Sequence, residues 1–363
     1  MSHRILLTGA SGYLGGTLLA RWKTANLPPH EKLYALVRTD DQGKAVKSYG
    51  AEPLSFNVKD EASTREAIVG NKINVVFFLI DAMKSDSQVL LIKALAEVKK
   101  LTGLEVHFLH VLGKTSGAKI FSSHAGAPTD RQLFDDEPGL YDVQKSQRSD
   151  IPLLQSAIET NNTVIEQAEP LGVRSYIFVP CIVYGKGEGF GNPISIQTVA
   201  IVNAAKAVGR VCSVDFGRPV TGTDDGAQQT WPVCHVLDNT KLYLDLLRQI
   251  LSDKSPGCGK NGYYLASPGS VAWEDLYAGI AEALAKRGVI SDASVEPASD
   301  KAMTDMGEAL GCPKELVPLQ LGGLCTFTAR HGEKVGWQPE YPPSHILDAA
   351  DEETALILEH LKK

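Results

Sequence analysis

The chain has 363 residues, 43% hydrophobic and 22% charged, which excludes a disordered or fibrous protein and leaves room for a large core and two lobes. Lys and Arg number 36 against 43 Asp and Glu, a formal charge of −7, and no dense basic run occurs, so the electrostatic footprint of a nucleic-acid binder is missing. No stretch approaches the ~18 apolar residues of a membrane span. The six cysteines (Cys181, Cys212, Cys234, Cys258, Cys312 and Cys325) are scattered without a CxxC pair. Reduced thiols, no metal site and a cytoplasmic protein without membrane contact are therefore expected.

From the N-terminus, apolar runs at "RILLTG", "KLYALVR", "AEPLSF", "NVVFFLI" and "VHFLHVLG" alternate with helix-like segments such as "YLGGTLLARWKT" and "SQVLLIKALAEVKKL". Near-continuous apolar strands separated by helical patterns indicate an α/β fold of Rossmann type, a doubly wound parallel sheet covered on both faces. A sixth run, "VRSYIFVPCIVYG" at 173–185, extends that sheet. Beyond Gly185 come a Gly-rich "GKGEGFGN", the helix-like "SIQTVAIVNAAKAV", a polar stretch and further mixed segments. Residues 1–185 are expected to form the dinucleotide-binding domain. Residues 186–363 form mostly a smaller, mixed substrate-binding lobe, with strand elements near 230–240 returning to the first domain.

The stretch "LLTGASGYLGGTLL" places Gly9, Gly12 and Gly15 between a strand and an amphipathic helix. Glycines there let the backbone turn sharply and approach a phosphate at a helix N-terminus, so a dinucleotide pyrophosphate is the expected ligand. At the end of the second strand, "LYALVRTDD" carries Arg38 where an NAD site expects an acid. A guanidinium suits a 2′-phosphate, which favours NADP, while Asp40 or Asp41 within reach of the ribose keeps NAD open.

Thr8-Gly9-x-x-Gly12-x-x-Gly15 resembles the extended short-chain dehydrogenase/reductase superfamily, also called the NAD-dependent epimerase/dehydratase family. "FVPCIVYGKG" resembles its sixth-strand segment, with Pro180, Tyr184 and Gly185. "WPVCHVLDNTKLYLDLL" is similar to its His-Val-x-Asp segment through His235 and Asp238, and "VGWQPEY" to its Gly-Trp-x-Pro through Gly336, Trp337 and Pro339. The resemblance implies cofactor contacts from Thr8, Gly9, Ser11, Gly12, Tyr13, Leu14 and Gly15 in the first turn. It adds Arg38, Asn57 and Val58 toward the adenosine, and Leu79, Ile80, Pro180, Ile182 and Val183 around the nicotinamide. Asn57 stands where the family often has Asp, and Ile80-Asp81 replace its usual small residues.

The family's proton-handling unit is a Ser or Thr, a Tyr, and a Lys four residues later. "LYDVQKSQ" offers Tyr141 and Lys145, which share a helix face at i,i+4. An adjacent ammonium favours the phenolate of a tyrosine whose reference pKa is ≈ 10. The resemblance implies Tyr141 as acid–base group, Lys145 as its activator and ribose ligand, and Ser116, with Thr115 as alternative, as the hydroxyl that holds the substrate oxygen. One feature departs from the family: 28 positions separate Lys145 from Val173 (173 − 145), enough for a separate helix over 151–166, which would leave Tyr141 on an inserted segment before it.

His107 and His110 fall on opposite faces of a buried strand and are expected to be structural. His235 and Asp238 are expected to tie the lobes together, Cys181, Trp231 and Trp273 to pack, and Asn192 and Lys186 are the polar groups of the Gly-rich loop to watch. The function implied is an NADP(H)-dependent oxidoreductase interconverting a carbonyl and an alcohol on a small or medium organic substrate. Alternatives are a nucleotide-sugar epimerase or dehydratase and a non-catalytic cofactor-sensing regulator. "QQTWPVCHV" lacks the Arg with which sugar-nucleotide enzymes of the family grip a diphosphate, which favours a less anionic substrate. A homodimer through the helices near 85–103 and 150–168 would follow the family habit.

Overall fold

The computed structural model describes residues 3–112, 117–214 and 229–361. Seven parallel strands form the central sheet in the order β11-β7-β5-β4-β1-β2-β3. In chain order they are β1 (Arg4–Leu7), β2 (Lys32–Leu36), β3 (Glu52–Leu54), β4 (Val75–Phe78), β5 (His107–Val111), β7 (Arg174–Pro180) and β11 (Tyr263–Ala266). A second sheet joins β8 (Ile182–Tyr184), β10 (Thr230–His235) and β12 (Gly269–Ala272). Two short pairs, β6 (Leu133–Phe134) with β14 (Phe327–Thr328) and β9 (Val211–Ser213) with β13 (Val295–Pro297), complete the strands.

The helices that matter for the site are α1 (Tyr13–Arg21), α2 (Asp40–Ser48), α3 (Glu61–Gly70), α4 (Asp86–Thr102), α5 (Leu140–Ser146), α6 (Pro152–Ala168), α7 (Gln197–Val208), α8 (Val236–Leu251) and α9 (Trp273–Lys286). The C-terminal lobe adds α10 (Asp300–Leu310), the short α11 (Val317–Leu321), α12 (His331–Lys334) and α13 (His345–Asp348), and the closing α14 (Ala350–Leu361). Local chemistry sets several boundaries. Thr39 caps α2 through Gln42 N at 3.2 Å, Asp60 caps α3 through Ser63 N at 2.7 Å, and Gly103 ends α4 at φ +70°.

Strands β1, β4, β5 and β7 are almost wholly buried, as their unbroken apolar runs require. From β1 the chain winds outward through β2 and β3, then returns to β4 and winds the other way. The direction reverses between β1 and β4, and there a crevice opens at the C-terminal strand ends.

The structure corrects two expectations. The run at 173–185 is two strands, because the chain leaves the central sheet at Cys181 and β8 pairs with β10 instead. The strand near 230–240 therefore belongs to the second sheet, whereas "GYYLAS", read as part of the C-terminal lobe, returns as β11 at the edge of the central one. In line with the 28-position spacing, the stretch before β7 holds a separate helix, α6, beginning at Pro152, with Tyr141 on α5 before it.

His107 and His110 do face opposite ways. His107 lies against Tyr176 with Nδ1 3.1 Å from its hydroxyl, while His110 stacks on Phe78 and Phe108 with neither ring nitrogen partnered. Burial holds His110 down to about 4. A histidine whose folded pKa lies below its unfolded value of ≈ 6.5 contributes full stability above pH 6.5, lost as pH falls toward 4. The substitution His110→Phe removes that titration. It is expected to gain about 2 kcal/mol relative to the parent on going from pH 7.5 to pH 5, read from urea unfolding at the two pH values; equal pH dependence would refute a neutral buried imidazole.

Candidate functional site

The first turn of the chain is built on close backbone approach. Gly9 sits at φ +72°, and a Cβ on Gly15 would drive into the carbonyl oxygen of Gly9. Gly12 N–H donates to Gly9 O at 2.9 Å, closing the turn, and Gly12 is the N-cap residue of α1. Among the described residues no side chain caps α1, and no acid lies in its first turn, so the positive end of its dipole faces the crevice. Thr8 serves the frame rather than the crevice. It is fully buried, its N–H donates to Phe77 O and its Oγ1 accepts from Leu79 N at 2.9 Å, which ties β1 to the end of β4.

This turn opens on a cleft of about 710 Å³, within the range of small-molecule sites. Of the residues expected at the cofactor, Gly9, Ser11, Gly12, Tyr13, Leu14 and Gly15 line it at one wall. Arg38, Asn57 and Val58 line the end beside β2 and β3, and Leu79, Ile80, Pro180 and Val183 the end beside β4 and β7. Ile182 does not reach it, because its side chain is fully buried where β8 pairs with β10. Gln42, Phe56, Leu112, Ile196 and Gln197 are added by the structure, and Cys181 and Asn192 also border the cleft. Only Gln42 carried a local signal, since it follows the cap of α2; its Nε2 reaches Ser11 Oγ at 3.4 Å. Cys181 is held by a hydrogen bond to Ala266 O, and burial raises its thiol well above the usual range, so it packs rather than reacts.

The exposed Arg38 guanidinium makes no ion pair among the described residues, and Arg38, Lys44 and Lys47 line a hollow that adjoins the cleft. Asn57, in the cleft wall, accepts Lys59 N on Oδ1 at 3.0 Å.

Tyr141 and Lys145 lie elsewhere. The Tyr141 hydroxyl donates to Glu166 Oε1 at 2.5 Å, Lys145 Nζ is 3.3 Å from that hydroxyl and also pairs with Glu166, and the Lys260 ammonium lies 5.2 Å from the phenol ring. Glu166 sits near the end of α6, which leads into β7, and Lys260 just precedes β11. In a parallel sheet those positions mark the N-terminal strand edge, whereas the cleft follows the C-terminal ends of β1, β2, β4, β5 and β7. Neither residue borders the cleft. Burial and the Glu166 carboxylate push the Tyr141 hydroxyl up, against the smaller lowering by Lys145, the opposite of an activated phenol. The expected acid–base and ribose roles of Tyr141 and Lys145 are corrected to a structural contact, and Thr115 and Ser116 lie outside the described residues.

No family model matches the chain. It is 23% identical over 369 residues to the oxidase ucsJ of an Acremonium species, covering 94% of both chains. Among solved structures it is similar to the UDP-glucose 4-epimerase of Thermotoga maritima (TM-score 0.59, 13% identity, 98% of this chain and 99% of that one). It is likewise similar to vestitone reductase from alfalfa (TM-score 0.57, 15% identity, 97% and 98%). The chain shares the fold of these two proteins, a Rossmann-type parallel sheet with flanking helices and further small sheets.

The later motifs of that fold act as ties between its parts. Asp238, buried at the start of α8, accepts Glu340 N on Oδ1 at 2.9 Å and Tyr341 N on Oδ2 at 3.0 Å, and its carbonyl takes the Trp337 indole N–H at 2.9 Å. The His235 ring lies against Tyr341, and Trp231 and Trp273 are buried against each other. The substitution Tyr141→Phe is expected to lower stability by about 1 kcal/mol through the lost Glu166 bond. If the cleft takes a dinucleotide, its affinity should stay within about twofold of the parent, the ~0.3–0.5 kcal/mol within which distant sites behave independently. Unfolding curves and fluorescence titration check this; a collapse of affinity would restore Tyr141 to the site.

Proposed function

We propose that the protein is an NADP(H)-dependent oxidoreductase acting on a carbonyl or alcohol of a small or medium organic substrate. The observation that carries the reading is the uncapped N-terminus of α1, opening through a glycine turn onto a cleft at the C-terminal strand edge. The full-length likeness to an oxidase supports a redox activity.

On this reading the backbone of Gly12 to Leu14 holds the pyrophosphate, Asn57 reads the adenine, and Ile80, Leu112, Pro180 and Val183 exclude water from the reducing ring. A dinucleotide held there would supply or accept the hydride, and the protein's part would be to hold the substrate oxygen as it gains or loses a proton. Thr115 or Ser116 is proposed to hydrogen-bond that oxygen, because the segment that carries them joins Leu112, in the cleft wall, to Gly117, which packs on Leu112 and Pro180. Arg38 is proposed to take the 2′-phosphate, with Lys47 beside it in a hollow that Asp40 also lines and Lys44 paired to Asp41.

A second reading, a cofactor-sensing regulator, is favoured by the distance of Tyr141 and Lys145 from the cleft. Oxidation of NADPH across a panel of carbonyl compounds separates the two: turnover supports the enzyme, and tight binding without turnover supports the sensor. For the cofactor itself, Arg38→Ala is expected to weaken NADPH by about tenfold, the loss of one charge-assisted bond, while NADH changes little. Fluorescence titration of both nucleotides is the check. Equal weakening of both would overturn the 2′-phosphate role, and no binding of either by the parent would overturn the reading.

A further inference from the structure

The segment "GKGEGFGNPIS", residues 185–195, is a loop whose two feet stand on one buried carboxylate. Glu353 of α14, 5% exposed, accepts Gly185 N at 2.9 Å on Oε2, and Ser195 Oγ at 3.2 Å and Thr198 Oγ1 at 2.8 Å on Oε1. Between those feet the loop runs across the first turn of α1. Gly187 lies on the Tyr13 ring, Gly189 lies on Gly16, whose own Cβ position is 3.1 Å from Gly189 Cα, and a Cβ on Gly191 would drive into Ser11 O. Alternate residues without side chains let the strap lie flat on the glycine turn. Its tip is then held by Asn192 N donating to Ser11 O at 3.1 Å, Glu188 N donating to Thr17 Oγ1 at 3.2 Å, Phe190 against Tyr49, and a two-point ion pair of Glu188 with Arg21.

The two ends of this strap differ in strength. The feet are buried on Glu353, whereas the latch side chains are 43% and 35% exposed, so water and salt compete with the ion pair. Asn192 lines the cleft together with the glycine turn, so the strap and the turn enclose the place where a pyrophosphate would lie.

We infer that the strap is the gate for dinucleotide exchange: its tip lifts from the glycine turn on fixed feet, and the Arg21–Glu188 pair is the latch. The inference rests on the dinucleotide reading of the cleft. Release of NADPH is measured by stopped-flow fluorescence on chasing with excess NADP+, and association is measured separately. Breaking the latch with Glu188→Gln is expected to speed release about threefold, the scale of an exposed ion pair. One molar salt weakens the phosphate contacts in both proteins, so the latch is read as the difference: salt should speed the parent about threefold more than it speeds Glu188→Gln.

Gly191→Ala, which keeps the tip from seating, is expected to raise both association and release by about tenfold and to change Kd less than threefold, the signature of a barrier rather than a contact. Unchanged rates in both variants overturn the gate, as does weakened affinity in Gly191→Ala at an unchanged association rate, which would make the strap a wall. If Gly191→Ala does not fold, the surface variant Glu188→Gln and the salt dependence decide alone. Failure of the parent to bind any nicotinamide dinucleotide overturns the reading of the site, and the gate with it; binding with unaltered rates overturns the gate only.

Discussion

Backbone-to-backbone contact at the first turn is the constraint on which the site depends. Gly15 lies so close to Gly9 that no side chain fits between them, and this brings the start of α1 directly onto the end of β1. The helix N-terminus then faces the crevice with its N–H groups free of a capping side chain. The same economy is repeated one layer out, where Gly189 meets Gly16 and Gly191 meets Ser11. Three layers of chain are stacked there with almost no side-chain volume between them. A single added methyl group at any of these contacts moves backbone rather than a rotamer, and backbone in a close-packed interior is the costliest thing to move.

Buried carboxylates do for the chain's long connections what glycines do for the first turn. Asp135 accepts Leu265 N at 2.9 Å, Arg330 N at 2.7 Å and His331 N at 2.8 Å, fixing β11 against the loop before α12. Asp238 binds two N–H groups near residue 340, and Glu353 the two feet of the strap. Each acid satisfies backbone donors of irregular segments that have no ladder or helix of their own, and an unmet buried donor costs about 1–3 kcal/mol. These acids fix the irregular segments of the C-terminal lobe alongside the continuous apolar core that joins it to the central sheet.

Such ties also mark where reading the sequence stops. The alternation of apolar runs, the glycine turn and Arg38 after β2 were legible, because each is encoded within a dozen residues by periodicity or turn chemistry, while Pro180 and Val183 in the cleft wall came from the family resemblance alone. The edge strand β11 was not, since "GYYLAS" has the pattern of any buried strand and its partner β7 lies some 85 positions earlier. Glu353 and Asp135 were invisible for the same reason: their partners lie between 130 and 196 positions away. Ile196 and Gln197 reach the cleft because Glu353 sets where α7 begins, which no local pattern records.

Tyr141 and Lys145 show the opposite failure, a local signal correctly read and wrongly placed. Tyrosine and lysine at i,i+4 on a helix will always lie side by side, so the pairing itself is faithful to the sequence, and the structure keeps it at 3.3 Å. Chemistry depends on a second condition that spacing does not encode, namely which edge of the sheet the helix presents them to. In this chain α5 is a separate seven-residue helix and α6 starts afresh at Pro152, so the pair lies against Glu166 near the end of α6, beyond reach of the cleft. Glu166 accepts from both side chains, which consumes the hydroxyl proton and the ammonium charge that catalysis would require to be free. The pair is thus held at the opposite edge of the sheet from the cleft, whose wall is made by the glycine turn and the C-terminal strand ends.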